Sequence, residues 1–579
     1  MEPITRGITH KKIFDYLYRR NFTKDETTLS EAAHQALWGK EHHQAFLLYT
    51  KLGRHHYKRL RLCKAIEAFE TALAIPSDSS DTSWFEVKTQ IMQDLISCYW
   101  TSGERSKALR LLNHLSQLPI EEETKKAEIL LLLAEFYKDQ GDIDKSTQTL
   151  ATYRNHFLAS PKCIRFLLRF LNLQAVLLGI RGLWADAAKL LEDGLKRFDD
   201  TIKDRASLPE AEKQQIDSDL FQCYTFLGQA YDLMKNSKRA LQHYANANAL
   251  ASRASIGILE HCKLLSRVGN LYSKIGEYAQ AEKTFCLALQ KAEIAFSPRA
   301  SIVLNLNIAI MYYDYGQLEK ALTHFTIAQR LARSLGLKPQ IGYVSLNLGL
   351  LHSFLGLLKS SGELLVTAYE ICEETGNEDL RISVINALID YFRNCNRHKE
   401  ALLWAKRGAD ILAQSQPSQG GVYLWLQMLE VGLHLNDPDS FERAAKQITD
   451  VTEHILQPTL RAQATFLTAK YKLATGECRN EATALIKKAL QILLEDASAT
   501  RLLEKKHQIY LYARFIRELL KNSNPEEAAT YHALAENTLS EMLDAIPAKY
   551  KETFLTNTIK ISGSELQMRL RQTAKKRPL

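Results

Sequence analysis

VGNLYSKIGEYAQAEKTFCLA, residues 268–288, carries the pattern on which the chain is built. Gly269 follows the apolar Val268, Tyr272 comes three residues on, and Ala281, Phe285 and Ala288 close the copy. The same order returns on both sides. Gly228, Gly269, Ala309 and Gly349 follow Leu227, Val268, Ile308 and Leu348, with Tyr231, Tyr272, Tyr312 and His352 three residues later. Twelve residues after each small residue stands another: Ala240, Ala281, Ala321 and Ser361. Tyr244, Phe285, Phe325 and Leu365 come next, then Ala247, Ala288, Ala328 and Ala368. A fifth copy keeps the phase with Ile389, Phe392, Ala401, Ala405 and Gly408. The first positions are 41, 40, 40 and 40 residues apart, a fixed period that predicts a solenoid of repeated supersecondary units.

Offsets of three and four mark one face of a helix, whereas a step of twelve is too long for one short unbroken face. The copy therefore reads as two antiparallel helices joined by a turn, marked by Gly276, Gly316, Gly356 and Asn396 in successive copies. Small residues let the two helix axes approach, and the aromatic residues fill the space between hairpins. No single hairpin buries its apolar face, so each needs neighbours.

The series Gly269, Tyr272, Gly276, Ala281, Phe285, Ala288 resembles the tetratricopeptide repeat. The period is longer than that family's usual 34 and the closing proline is missing, so the chain is similar to the long-helix variants of kinesin light chains and bacterial regulators. The resemblance implies an all-α fold, a right-handed α-solenoid of tetratricopeptide-like hairpins whose first helices line a concave groove. In the family, position 6 of the first helix often holds an asparagine that bonds an extended peptide. Counting from the small residue at position 8, that place holds Arg267, Asn307, Asn347 and Ala387, so two consecutive copies match. Neighbouring positions add Asn270, Ser273, Asn386, Asp390 and Arg393. An amide both donates and accepts, so it can hold a peptide backbone without reading its sequence. The other reading is that these asparagines face solvent or bond across hairpins. Asn305, at a normally apolar position, is expected to face its own hairpin partner.

Around the regular block the pattern loosens. Residues 1–40 form an N-terminal helical cap, or the remnant of a preceding domain, with short helices over 13–22 and 29–38 and a cap at Thr28 or Ser30. Residues 41–199 carry weaker repeats, the first with Gly53, Ala65, Phe69 and Ala72, and 75–84 is a linker. Charged residues 199–215 lengthen the next connection, 216–413 is the regular block, and 414–421 (QSQPSQGG) is a break. Residues 422–555 hold degenerate repeats, one interrupted by NDPD (436–439). A last hairpin has its second helix after Asn524-Pro525, and 556–579 is a basic tail. Ten to twelve hairpins are expected. LDAIPAKYKETFL (543–555) resembles the closing segment of helical modules attached to bacterial signalling ATPases and kinases, and residues 31–73 resemble their beginning. That implies a sensor or scaffold half without its ATPase.

With 25 glycines and 13 prolines among 579 residues and 46 % hydrophobic content, the composition suits a helical protein and excludes a disordered one. A net charge of +9 from 75 basic and 66 acidic residues permits acidic partners without implying nucleic acid. The segment 54–64 (RHHYKRLRLCK) reads as a solvated helix end, with a docking patch as the alternative. Nine scattered cysteines without a C-x-x-C pair fit reduced thiols in the cytoplasm, mostly as small core residues. No stretch has the character of a signal peptide or a membrane span. Phosphate-binding, nucleophile-elbow and zinc-protease signatures are absent, and His42-His43 and His55-His56 lack the i, i+4 spacing of a chelate. His56 falls on the repeat's aromatic position, where it is expected to pack.

No cofactor is expected, and the functional reading is a non-enzymatic scaffold or sensor that holds a peptide or helix of a partner protein. The site residues are Arg267, Asn270, Asn307, Asn347, Asn386, Asp390 and Arg393. The alternative is a small-molecule-sensing module of a bacterial signalling or transcriptional system.

Overall fold

The computed structural model describes residues 3–19, 26–59, 61–76, 82–120, 122–159, 166–201, 208–253, 256–412, 419–452, 457–475, 479–496 and 502–558. Among these residues the chain is all-α, with 26 α-helices, one short 3₁₀ turn at Ala548–Tyr550 and no strand. They fall into two compact units, Met1–Asn236 and Ser237–Leu579. The first unit holds five successive helix pairs, from Pro3–Arg19 with Glu26–Trp38 to Leu167–Ile180 with Trp184–Thr201, and ends on Glu210–Leu233. The second starts with Ser237–Arg253 and continues through seven pairs, from Ile258–Lys274 with Tyr278–Ile294 to Leu502–Leu520 with Pro525–Ala545. No helix among the described residues is long and apolar enough to cross a membrane.

The hairpins close as the spacing demands. The small residues twelve apart touch: Ser146 Oγ donates to the Ala134 carbonyl at 2.7 Å, and Ser361 Oγ to the Gly349 carbonyl at 2.8 Å. A Cβ on Gly269 would stand 2.7 Å from the Phe285 ring, and one on Gly53 would stand 2.5 Å from Phe69. Ala281, Phe285 and Ala288 are fully buried, as are Ala321 and Ala328. Between hairpins the repeat tyrosine reaches back to the preceding second helix. Tyr137 donates to Asn113 at 2.9 Å, and Tyr312 to Glu282 at 2.6 Å.

Five successive turns of the second unit pass through one left-handed residue each. Gly276, Gly316 and Gly356 have φ of 82°, 80° and 80°, and Asn396 and Asn436 follow at 65° and 55°. In every one of these turns the next residue's N–H bonds back past the left-handed residue, as Glu277 does to the Tyr272 carbonyl and Asp437 to the Gly432 carbonyl. NDPD is therefore the hairpin turn itself, 40 residues after Asn396, and not an interruption. Two further expectations change. The first helix runs over Pro3–Arg19, longer than expected, and the second begins at Glu26, which places Thr28 and Ser30 inside it. Asn305 does face its hairpin partner: its Oδ1 meets His324 Nδ1 at 2.9 Å, and its Nδ2 donates to the Ser301 carbonyl.

The C-terminal pair does more than end the stack. Residues 502–558 fold back onto the hairpins of 298–375. Leu503, Tyr510, Met542, Ile546 and Phe554 share one core with Ile308, Met311 and Leu351. Tyr313 donates to Glu504 across 191 residues at 3.0 Å, and Phe354 packs on Phe554 with ring centroids 5.3 Å apart. A Cβ on Gly356 would stand 2.7 Å from the Thr553 carbonyl oxygen, whereas one on Gly376 (φ 64°) would meet nothing within 4 Å. Gly376→Ala should cost about 1 kcal/mol for the left-handed backbone alone. Gly356→Ala should cost about 1–3 kcal/mol more, because a backbone atom must also move. Urea titrations of the two variants check the difference, and amide exchange in 543–558 should rise only in Gly356→Ala.

Candidate functional site

Position 6 and its neighbours lie on one stripe of each first helix, because offsets of three and four share a face. On Lys338–Phe354 the stripe is Tyr343, Asn347, Leu350 and Phe354; on Pro298–Asp314 it is Val303, Asn307, Ile310 and Asp314. Tyr343 and Leu350 are each 37 % exposed and Val303 is 40 % exposed, so solvent reaches an apolar strip beside the two asparagines. Phe354, at the far end, lies under Phe554 and His507. Asn307 donates to Ser266 Oγ on the preceding first helix at 3.1 Å, and Asn347 to the Tyr343 carbonyl of its own helix at 2.8 Å. Each amide spends one donor on the chain, and its oxygen accepts nothing among the described residues.

The row is open at Arg267, which is exposed, and at Asn270, Asn307 and Asn347, which are half-buried. From the next copy on it is closed. Ala387 and Asn386 are buried, and the Asn386 carbonyl accepts from Gln427 Nε2 at 3.0 Å. Gln427 occupies position 6 of a sixth copy and is fully buried.

Asp390 and Arg393 belong to an ionic network joining three first helices, Glu378–Asn394, Gln419–Leu435 and Pro458–Thr475. Arg393 pairs with Asp390 at 2.8 Å and bonds Glu430, which Lys470 meets at 3.3 Å. Tyr423 donates to Asp390 Oδ2 at 2.8 Å. Burial pushes the Glu430 carboxyl up, but Arg393 and Lys470 together hold it well below the usual carboxylate range. Burial raises Asp390 against the pull of Arg393 and Tyr423. Beside them His398 stacks on His434 with ring centroids 3.6 Å apart. The structure thus separates the seven predicted residues: four line the open row, and three sit in or beside this closed network. The Tyr343, Leu350 and Val303 strip was missed, although its spacing of three and four residues from the asparagines was readable.

Elsewhere the sequence's candidates find partners inside the chain. Arg59 and Arg61 of the basic segment bond Glu26 at 3.1 and 2.7 Å, with His55, His56 and Lys64 within 3.9 Å of it, and Arg54 bonds Asp94 at 2.8 Å. His56 is packed and buried. Cys98, Cys223, Cys262 and Cys372 are buried, whereas Cys63 and Cys286 are exposed. Among the described residues no three histidine, cysteine or carboxylate side chains converge to hold a metal. Residues 559–579 of the basic tail, Gly476 and most of the 414–421 break lie outside the described residues.

No family model and no curated protein matches the chain. Among solved structures it is similar to the apo form of RapI, at 14 % identity over 64 % of this chain and 98 % of that one, with a TM-score of 0.45. It is similar also to a Rap protein complexed with competence and sporulation factor, at 17 % identity over 73 % and 100 % with a TM-score of 0.40. Yeast Tom70 matches at 15 % identity over 91 % and 96 %, with a TM-score of 0.32.

The network sets expectations for stability. Removing Glu430 leaves Arg393 and Lys470 without their shared counter-charge, and Lys470 is only 8 % exposed. Glu430→Ala should destabilise the fold by about 3–5 kcal/mol, read as a lower urea midpoint. Acid should act through the imidazoles. Burial, with His434 adding, pushes His398 down to about 4, and burial, with Arg393 adding, does the same to His507. The unfolded chain takes up these protons from about pH 6.5 and the folded chain only near 4, so their stabilisation is complete above 6.5 and is lost between those values. Asp390 works in the opposite sense, since its folded carboxyl is protonated before the unfolded one. Replacing both histidines with glutamine should remove about two protons' worth of slope from a plot of urea midpoint against pH.

Proposed function

We propose that the chain is a non-enzymatic interaction scaffold or sensor that holds an extended segment of a partner protein along the first helices of 258–354. One observation carries this reading. Asn307 and Asn347 stand 40 residues apart at the same place on consecutive first helices, each keeps an amide acceptor uncommitted, and Val303, Tyr343 and Leu350 offer exposed apolar contact beside them. Amides at that repeat clamp a backbone, and the apolar strip takes alternate side chains. The closed network from Asn386 to Lys470 supports the row from one side and leaves Asp390 and Arg393 out of the contact. The seven described cysteines are unpaired, which suits work in the cytoplasm.

Peptides selected on the wild-type chain by display provide the test, measured by fluorescence anisotropy. Asn307→Ala and Asn347→Ala together remove two hydrogen bonds, so affinity should fall about 10- to 30-fold while the urea midpoint stays within the range of surface changes. Unchanged affinity in the folded double variant would remove the assignment.

A further inference from the structure

Phe296 breaks the rule of its position. The second helices Tyr278–Ile294, Leu318–Ser334 and Leu358–Thr375 are each followed by a left-handed residue: Phe296 at φ 48°, Gly336 at 61° and Gly376 at 64°. Two are glycine, as the backbone prefers, and one is a phenylalanine that is 92 % exposed. Its N–H bonds the Glu293 carbonyl at 2.9 Å and the Ser297 N–H bonds the Ala292 carbonyl at 3.0 Å, so the surrounding turn holds the strained residue in place. Ile294, two residues earlier, is exposed as well. Strain retained under an exposed aromatic points to use of that side chain by something outside the fold.

The same helix supplies a receptor. Between Ser237–Arg253 and Tyr278–Ile294 lies a groove of about 550 Å³ with Leu241, Tyr244, Leu265, Val268, Tyr272 and Leu287 in its walls. Its lining along the second helix runs from Gln280 to Gln290, about 15 Å at 1.5 Å per residue, and stops one turn short of Ile294. Leu287, Gln290 and Ile294 follow one another at steps of three and four, so the groove's stripe on this helix runs on to Ile294, and Phe296 stands two residues beyond it.

We infer that this face pairs with a second copy of the chain, each Phe296 entering the other copy's groove. Knob and groove on a single patch are what a two-fold, isologous contact requires, since the same surface must serve both partners. The charges agree. Lys283 lies on the groove's rim and Glu293 beside the knob, both are exposed, and neither has an ion pair among the described residues. Antiparallel placement of the two helices brings each Glu293 to the other copy's rim. The inference stands on different residues from the peptide row and is independent of it.

The test is the mass of the full-length chain by light scattering on a size-exclusion column, from about 1 to 100 μM. The wild type should move from monomer to dimer across that range. Phe296→Gly, which relieves the strain and so keeps the fold, should remain monomeric throughout, as should Leu287→Glu, which places a charge in the groove wall. Asn347→Ala should dimerise as the wild type does. A wild type that stays monomeric at 100 μM, or a dimer that neither Phe296→Gly nor Leu287→Glu weakens, would overturn the pairing.

Discussion

The fold depends on how closely two helices of a hairpin can lie. The Ser361 hydroxyl, which reaches the Gly349 carbonyl of the opposite helix at 2.8 Å, leaves no room for a larger side chain at that level, and Leu365, one turn away, seals the gap. A regular hairpin must place a small residue there, and from Gly276 to Asn436 a left-handed turn residue brings the second helix back over the first. These requirements repeat every 40 residues because they are the same requirement met again. What differs between copies is the outward stripe of the first helix, and on that stripe the chain becomes specific.

That stripe has two regimes. Over the first copies of the second unit it is a strip of amides and exposed apolar side chains. From Asn386 to Lys470 it is a chain of charges, tied across three helices and largely withdrawn from water. Burying so many ionised groups is costly unless each is paired, and here Glu430 serves two cations at once. Its pairs tie each of these first helices to the next through particular partners.

Residues with a distinctive chemistry were legible from the sequence. Gly276, Gly316, Gly356 and Asn396 announced turns because few residues accept a positive φ, and Ala281, Phe285 and Ala288 announced a core face by their spacing. NDPD was misread because proline suggested a break, while the asparagine before it was keeping the period. Asp390 and Arg393 passed as groove residues because repeat position says which way a side chain leaves its helix and nothing about what later covers it. The fold-back of 502–558 left no periodic trace at all: Tyr313 and Glu504 are 191 residues apart, and no short-range pattern encodes their meeting.

A stack of repeats with free ends frays from its tips, because each unit answers only to its neighbours. The second unit is clasped instead. Its last helices are fastened to hairpins near its beginning, so closing that long loop must be met in entropy before the clasp gives anything back. Closure of so long a loop favours late assembly and a cooperative opening, and Tyr313 and Phe354 meet Glu504 and Phe554 directly, without the copies between.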